Sequence, residues 1–145
     1  MKTHPLVQRL AESPGATAVS PEMLDEWLAR PGEHVLFFNG DAVRFPESVD
    51  VAVVLPELRA ACGARFDIGV VPREFEDALA RRFGVQRWPS LVLLRGAGYL
   101  GCVSGMQDWS DYLAAVSAVL AQPVSRAPTI GIPVVAAGES ASACH

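Results

Sequence analysis

The chain reads as an α/β domain: a central mixed β-sheet flanked by helices on both faces, in the order β-α-β-α-β-α-β-β-α. Three observations predict it. His34-Val35-Leu36-Phe37-Phe38 is a continuous apolar run bounded by turn residues, the mark of a strand buried on both faces. Leu91–Leu94 and Tyr99–Val103 are apolar runs separated by Arg95-Gly96-Ala97-Gly98, a short glycine-rich turn that predicts a β-hairpin. Between and around these runs lie segments whose apolar residues recur at helical spacing.

Composition bounds the function. The 145 residues suffice for one domain with a sizeable core. Half are hydrophobic and 19% charged, a globular balance, and the formal charge of −4 lacks the basic footprint of a nucleic-acid binder. No apolar run approaches the roughly 20 residues of a membrane span, and the first residues lack the apolar core of a secretory signal. The expectation is a cytoplasmic protein with no membrane insertion and no nucleic-acid partner. Cys62, Cys102 and Cys144 form no Cys-x-x-Cys or ligand pair, and His4, His34 and His145 are scattered. No metal or cofactor is expected. Cys62 and Cys102 read as buried free cysteines that behave as small hydrophobes, and Cys144 as exposed.

Taken in order, residues 1–14 form a polar N-terminal segment ending in a loop signal, Ser13-Pro14-Gly15. Thr17-Ala18-Val19 suits a short strand. Ser20-Pro21-Glu22 starts a helix with an oxygen-bearing cap, a proline in the first turn and an acid favoured by the dipole. Met23, Leu24, Trp27 and Leu28 give its apolar spacing, with Trp27 as a core anchor, and Pro31-Gly32 closes it. After the His34–Phe38 strand, a loop runs from Asn39 to about Glu47. Val51–Ala61 reads as a helix that Pro56 should kink, and Phe66–Val71 as a strand. Pro72 opens a helix with Phe75, Ala78, Leu79 and Phe83 on one face, stopped by Gly84. Beyond the hairpin, Trp109, Tyr112, Leu113, Val116 and Leu120 make the stripe of a last helix. From Gln122 the pattern is lost, which predicts a flexible tail over 122–145 and a domain over 15–121.

Phe83-Gly84-Val85, then Trp88-Pro89, then two strands, a glycine at Gly105 and a final helix resemble the C-terminal half of the thioredoxin fold. The resemblance implies that Pro89 is that fold's cis-proline, beside the active-site surface. Counting back from Pro56 by the family spacing puts the two reactive positions at Ser48 and Val51. That slot reads Ser48-Val49-Asp50-Val51 and holds no sulfur. Dithiol exchange needs a thiolate at a helix N-terminus and a second thiol to resolve the mixed disulfide, so it is excluded there. The family's buried acid on the second strand is missing too, because nothing from His34 to Gly40 is acidic. Ser48 reads more simply as a helix cap than as a nucleophile, and Asp50 as a first-turn residue than as an acid catalyst.

A thioredoxin frame without thiols keeps a groove beside the cis-proline where an extended peptide can lie. Trp88 either faces that groove, as a binding hot spot does, or packs on the second helix. Within the superfamily, the motif Phe83-Gly84-Val85-x-Arg87-Trp88-Pro89-Ser90-Leu91 is followed by Tyr99-x-Gly101-x-x-x-Gly105 and Trp109. Together with Leu24-Asp25-x-Trp27-Leu28 and the Pro46–Asp50 segment, it is similar to hydrogenase expression/formation proteins of the HupG/HyaE type. That resemblance implies a non-catalytic cytoplasmic chaperone in [NiFe] uptake hydrogenase maturation. Its implied partner is the small-subunit precursor, through the twin-arginine signal peptide, with other hydrogenase accessory proteins alongside. On this chain the expected peptide-binding residues are Trp88, Pro89, Ser48, Asp50, Glu47 and Asp41, the acids receiving the arginines. Two alternatives stand beside it: a redox protein using Cys62 or Cys102 as a single thiol, and a structural subunit of a larger assembly.

Overall fold

A computed structural model describes residues 4–128. Five strands form one sheet: β1 (Ala16–Ala18), β2 (Glu33–Phe38), β3 (Phe66–Val70), β4 (Ser90–Arg95) and β5 (Gly98–Ser104). Their spatial order is β1-β3-β2-β4-β5. β3 pairs parallel with β1 and β2, and β4 antiparallel with β2 and β5, so the sheet is mixed as expected. The hairpin turn is tighter than the sequence suggests. Arg95 pairs with Gly98, leaving Gly96-Ala97 at the tip with Gly96 at φ +57°.

Side chains alternate across the sheet with the period of two that a pleated strand imposes. Val35 and Phe37 point to one face, where α1 (Pro5–Ala11), α3 (Glu47–Ala61) and α5 (Trp109–Leu120) pack. Leu36 and Phe38 point to the other, covered by α2 (Pro21–Leu28) and α4 (Glu76–Phe83). Trp27 is the expected anchor of α2, 3% exposed. It fits because β3 offers Gly69 beneath it, where a Cβ would come within 2.7 Å of the indole.

Several expectations are corrected. The N-terminal segment, expected to be polar and to lie outside the domain, is helical over Pro5–Ala11 and buries Val7 and Leu10 in the α3 face of the core. His4 caps it through Nδ1, which accepts the Leu6 N–H at 3.1 Å. The element order therefore begins with an additional helix. Helix α3 starts at Glu47, four residues before the predicted start, and runs through Pro56 to Ala61 because that proline faces outward, exposed. A 3-10 turn (Arg73–Phe75) precedes α4, whose buried face is Glu76, Leu79, Ala80 and Phe83, while Ala78 is exposed. Met23 and Trp109 leave their predicted stripes and stand 46% and 45% exposed.

The start of the tail is docked. Ser125 N–H donates to the Tyr99 carbonyl at 2.8 Å, Ala127 packs on the α4 side of the core, and Pro128 lies against Gly84. The rest of the tail predicted over 122–145, residues 129–145 with Cys144 and His145, lies outside the described residues. No helix among the described residues is long and apolar enough to cross a membrane.

Candidate functional site

Register brings three loops to one end of the sheet. Phe38 at the end of β2 faces Ser90 at the start of β4, and Ser90 faces Ser104 at the end of β5. The loops 39–46, 84–89 and 105–108 therefore meet there. Their junction is pinned by hydrogen bonds. Ser90 Oγ donates to the Arg87 carbonyl at 2.6 Å and lies 2.8 Å from Ser104 Oγ, while Gly105 N–H donates to the Pro89 carbonyl at 2.8 Å. The Trp88–Pro89 peptide is cis, as the resemblance implies.

Trp88 meets a loop residue and the face of the sheet opposite α3, the Pro56 helix on which the sequence offered to pack it. Its ring stacks on Phe45 (centroids 6.4 Å apart, 27° between planes), and it packs as a partly buried residue against the α4 side of the core. Beneath it, Gly40 sits at φ +71°, and a Cβ there would lie 2.8 Å from Trp88 Cδ1 and 2.9 Å from Trp88 Cβ. Only glycine meets both demands. A cleft of about 300 Å³ opens beside this stack, lined by Gly40, Arg44, Phe45, Arg73, Asp77, Gln86 and Trp88. A larger cleft of about 720 Å³ lies at the opposite sheet end, between Leu28–Glu33 and Arg95–Ala97. There Glu33 is held below the usual carboxylate range by Arg65 and Arg95.

The other predicted residues fall into two groups. Asp41, Glu47 and Asp50 are exposed around loop 39–46 and the first turn of α3. None of the three lines the cleft; its acid is Asp77. Ser48 is fully buried and its Oγ has no hydrogen-bond partner, so it is neither the cap of α3 nor a surface contact. The residue at the cap position is Pro46. Val51, the second position of the reactive slot, is also fully buried.

The sequence reading missed Glu76. It is fully buried in the first turn of α4, and both carboxylate oxygens lie near the Gly40 N–H, at 3.1 and 3.2 Å. Arg73, three residues earlier, pairs with it. Burial pushes the Glu76 carboxyl above its ordinary value, against the Gly40 and Arg73 contacts that favour the charge. The signal was available: Glu76 precedes Leu79, Ala80 and Phe83 at helical spacing, so an acid stands where a core residue is due. The sheet end thus has a buried carboxylate after all, supplied by α4 rather than β2.

The thiols are elsewhere. Cys62 is free and partly buried at the far end of α3, about 20 Å along the axis from Ser48 at 1.5 Å per residue. Cys102 is buried in β5 but is disulfide-bonded, which corrects the reading of it as a free cysteine. Among the described residues no group of three or more His, Cys, Asp or Glu is placed to hold a metal ion.

The family model described as Hydrogenase-1 expression protein HyaE matches residues 6–112. The chain is 52% identical over 143 residues to the hydrogenase expression/formation protein HoxO of Cupriavidus necator, covering 97% of this chain and 88% of that protein. It is 43% identical to HupG of Rhodobacter capsulatus, over 83% and 88% of the two chains. Among solved structures, a HupG-type hydrogenase expression/formation protein from Rhodopseudomonas palustris CGA009 is 46% identical, with a TM-score of 0.53 over 72% of this chain and 95% of that one. A thioredoxin variant from Halobacterium salinarum NRC-1 aligns with a TM-score of 0.58 at 19% identity, over 74% and 91% of the two chains, which shows the fold alone. The frame is thioredoxin-like, the reactive slot is without sulfur, and the chain belongs to the HyaE family of hydrogenase expression/formation proteins.

Proposed function

We propose that this chain is a non-catalytic chaperone in [NiFe] uptake hydrogenase maturation that binds the twin-arginine signal peptide of the hydrogenase small subunit. It acts on the precursor before export, hence in the cytoplasm, and works beside other hydrogenase accessory proteins. The observation that carries this reading is the cleft at the Pro89 end of the sheet, walled by the Trp88–Phe45 stack, with Asp77 as its acid beside Arg44 and the Glu76-paired Arg73. A signal peptide of this kind presents a basic pair followed by an apolar run. Trp88 and Phe45 offer apolar area to the run. Asp77 in the cleft, with the exposed Asp41, Glu47 and Asp50 on loop 39–46 and the first turn of α3, offers negative charge to the arginines. Ser48 supports from beneath the surface and makes no contact.

Magnitudes assign the roles. An exposed carboxylate–arginine pair contributes about 0.2–1 kcal/mol and is screened by salt. Truncating a buried tryptophan anchor costs about 2 kcal/mol or more. The acids therefore orient the peptide and Trp88 retains it. Titrating a synthetic twin-arginine signal peptide against Trp88→Ala and Asp50→Lys tests this. The expected result is an affinity loss of about thirtyfold for the first and a few-fold, salt-sensitive loss for the second. Unchanged affinity in both removes the groove.

A further inference from the structure

We propose that Glu76 is the positioning residue of this groove: its carboxylate holds the Gly40 backbone, and Gly40 in turn fixes where Trp88 lies. The assignment rests on the peptide-docking reading above. Three contacts form the chain of support. Glu76, with no exposed surface, meets the Gly40 N–H with both oxygens. Gly40 carries no side chain between its backbone and the indole, and a Cβ there would lie only 2.8 Å from Trp88 Cδ1. Asn39, the neighbour on the other side, is tied by its Nδ2 donating to the Val71 carbonyl at 3.3 Å. The turn leaving β2 is thus fixed from Val71, just after β3, and from α4, and Trp88 rests on it.

An apolar residue at position 76 would fill the same core space without burying a charge, and replacing buried ion pairs by hydrophobes is often neutral or stabilising. The carboxylate is therefore placed for direction rather than for cohesion.

The test follows the Gly40 amide and the Trp88 indole N–H by NMR in the full chain, free and with a synthetic twin-arginine signal peptide, for wild type, Glu76→Gln and Gly40→Ala. For Glu76→Gln we expect both resonances to move and peptide affinity to fall about tenfold, while the unfolding midpoint changes by only a few degrees. Gly40→Ala should displace Trp88 and reproduce the affinity loss with Glu76 intact. A Trp88 resonance that stays in place in Glu76→Gln overturns the proposal, as does a shifted resonance with unchanged affinity. Should Glu76→Gln fail to fold, Glu76→Asp, which keeps the charge and draws it back from the Gly40 N–H, takes its place, and an unmoved indole with wild-type affinity overturns the assignment. If wild type binds no peptide, the docking reading fails, and the indole response to Glu76→Gln still decides whether Glu76 positions Trp88.

Discussion

Replacing Arg73 with methionine strips the buried Glu76 carboxylate of its cationic partner. The Arg73 side chain is 17% exposed and that of Glu76 is 0%. Removing one member of a buried pair costs about 3–5 kcal/mol, because the remaining charge cannot reach water. The Gly40 N–H still serves the carboxylate, and Arg73 is not wholly withdrawn from solvent, so the lower end applies, about 3 kcal/mol. For a chain of this length that is a fall in Tm of about 10 °C.

The loss should depend on pH with a definite sign. Burial already raises the Glu76 carboxyl, and loss of Arg73 raises it further. A group whose folded pKa lies above its unfolded value contributes fully below the unfolded value and loses that contribution as pH rises through the folded one. The variant should therefore approach wild-type stability near pH 5 and fall short of it most at pH 8. Adding Glu76→Gln removes the charge and should recover stability to within about 1 kcal/mol of wild type. Denaturant melts at the two pH values measure all three proteins. A loss below about 1 kcal/mol, or equal losses at both pH values, would show the carboxylate to be solvated and refute the reasoning.

Other outcomes follow from the same packing. Leu10→Ala should cost about 2–4 kcal/mol, since α1 buries this side chain in the α3 face of the core, and a denaturation midpoint near wild type would detach that helix from the fold. His34 is fully buried with its ring edge-on to Trp27, and burial depresses its pKa. The folded state then binds fewer protons than the unfolded one, so stability should be present above about pH 6.5 and decline below it. His34→Leu should flatten that decline between pH 6.5 and 5; an unchanged slope would assign it to other groups.

The sheet was legible because its strands announce themselves. Val35 to Phe38 serve both faces in alternation, and the glycine-rich turn at residues 95–98 leaves one way to join β4 and β5. Helix α1 was hidden, because a seven-residue element with two buried residues gives too little periodicity to outweigh its polar neighbours. Trp109 and Met23 fit their apolar stripes in spacing and still point to solvent, since spacing fixes a face only to within a residue at a helix end. The site was half legible. Trp88 and Pro89 were named through the resemblance to the thioredoxin fold, whereas Gly40, Phe45 and Asp77 come from loops and helix starts that only the sheet register brings together. Ser48 illustrates the limit most clearly: its place in the chain suggested a surface contact, and its burial removes it.

The central claim, a sheet end emptied of sulfur that docks a basic-then-apolar peptide, is tested most directly by mapping amide shifts as a synthetic twin-arginine signal peptide is added to isotope-labelled protein. The account predicts saturable shifts at Gly40, Phe45, Asp77 and Trp88, weakened by salt. No shifts, or shifts confined to the cleft at Leu28–Glu33 and Arg95–Ala97, would contradict it.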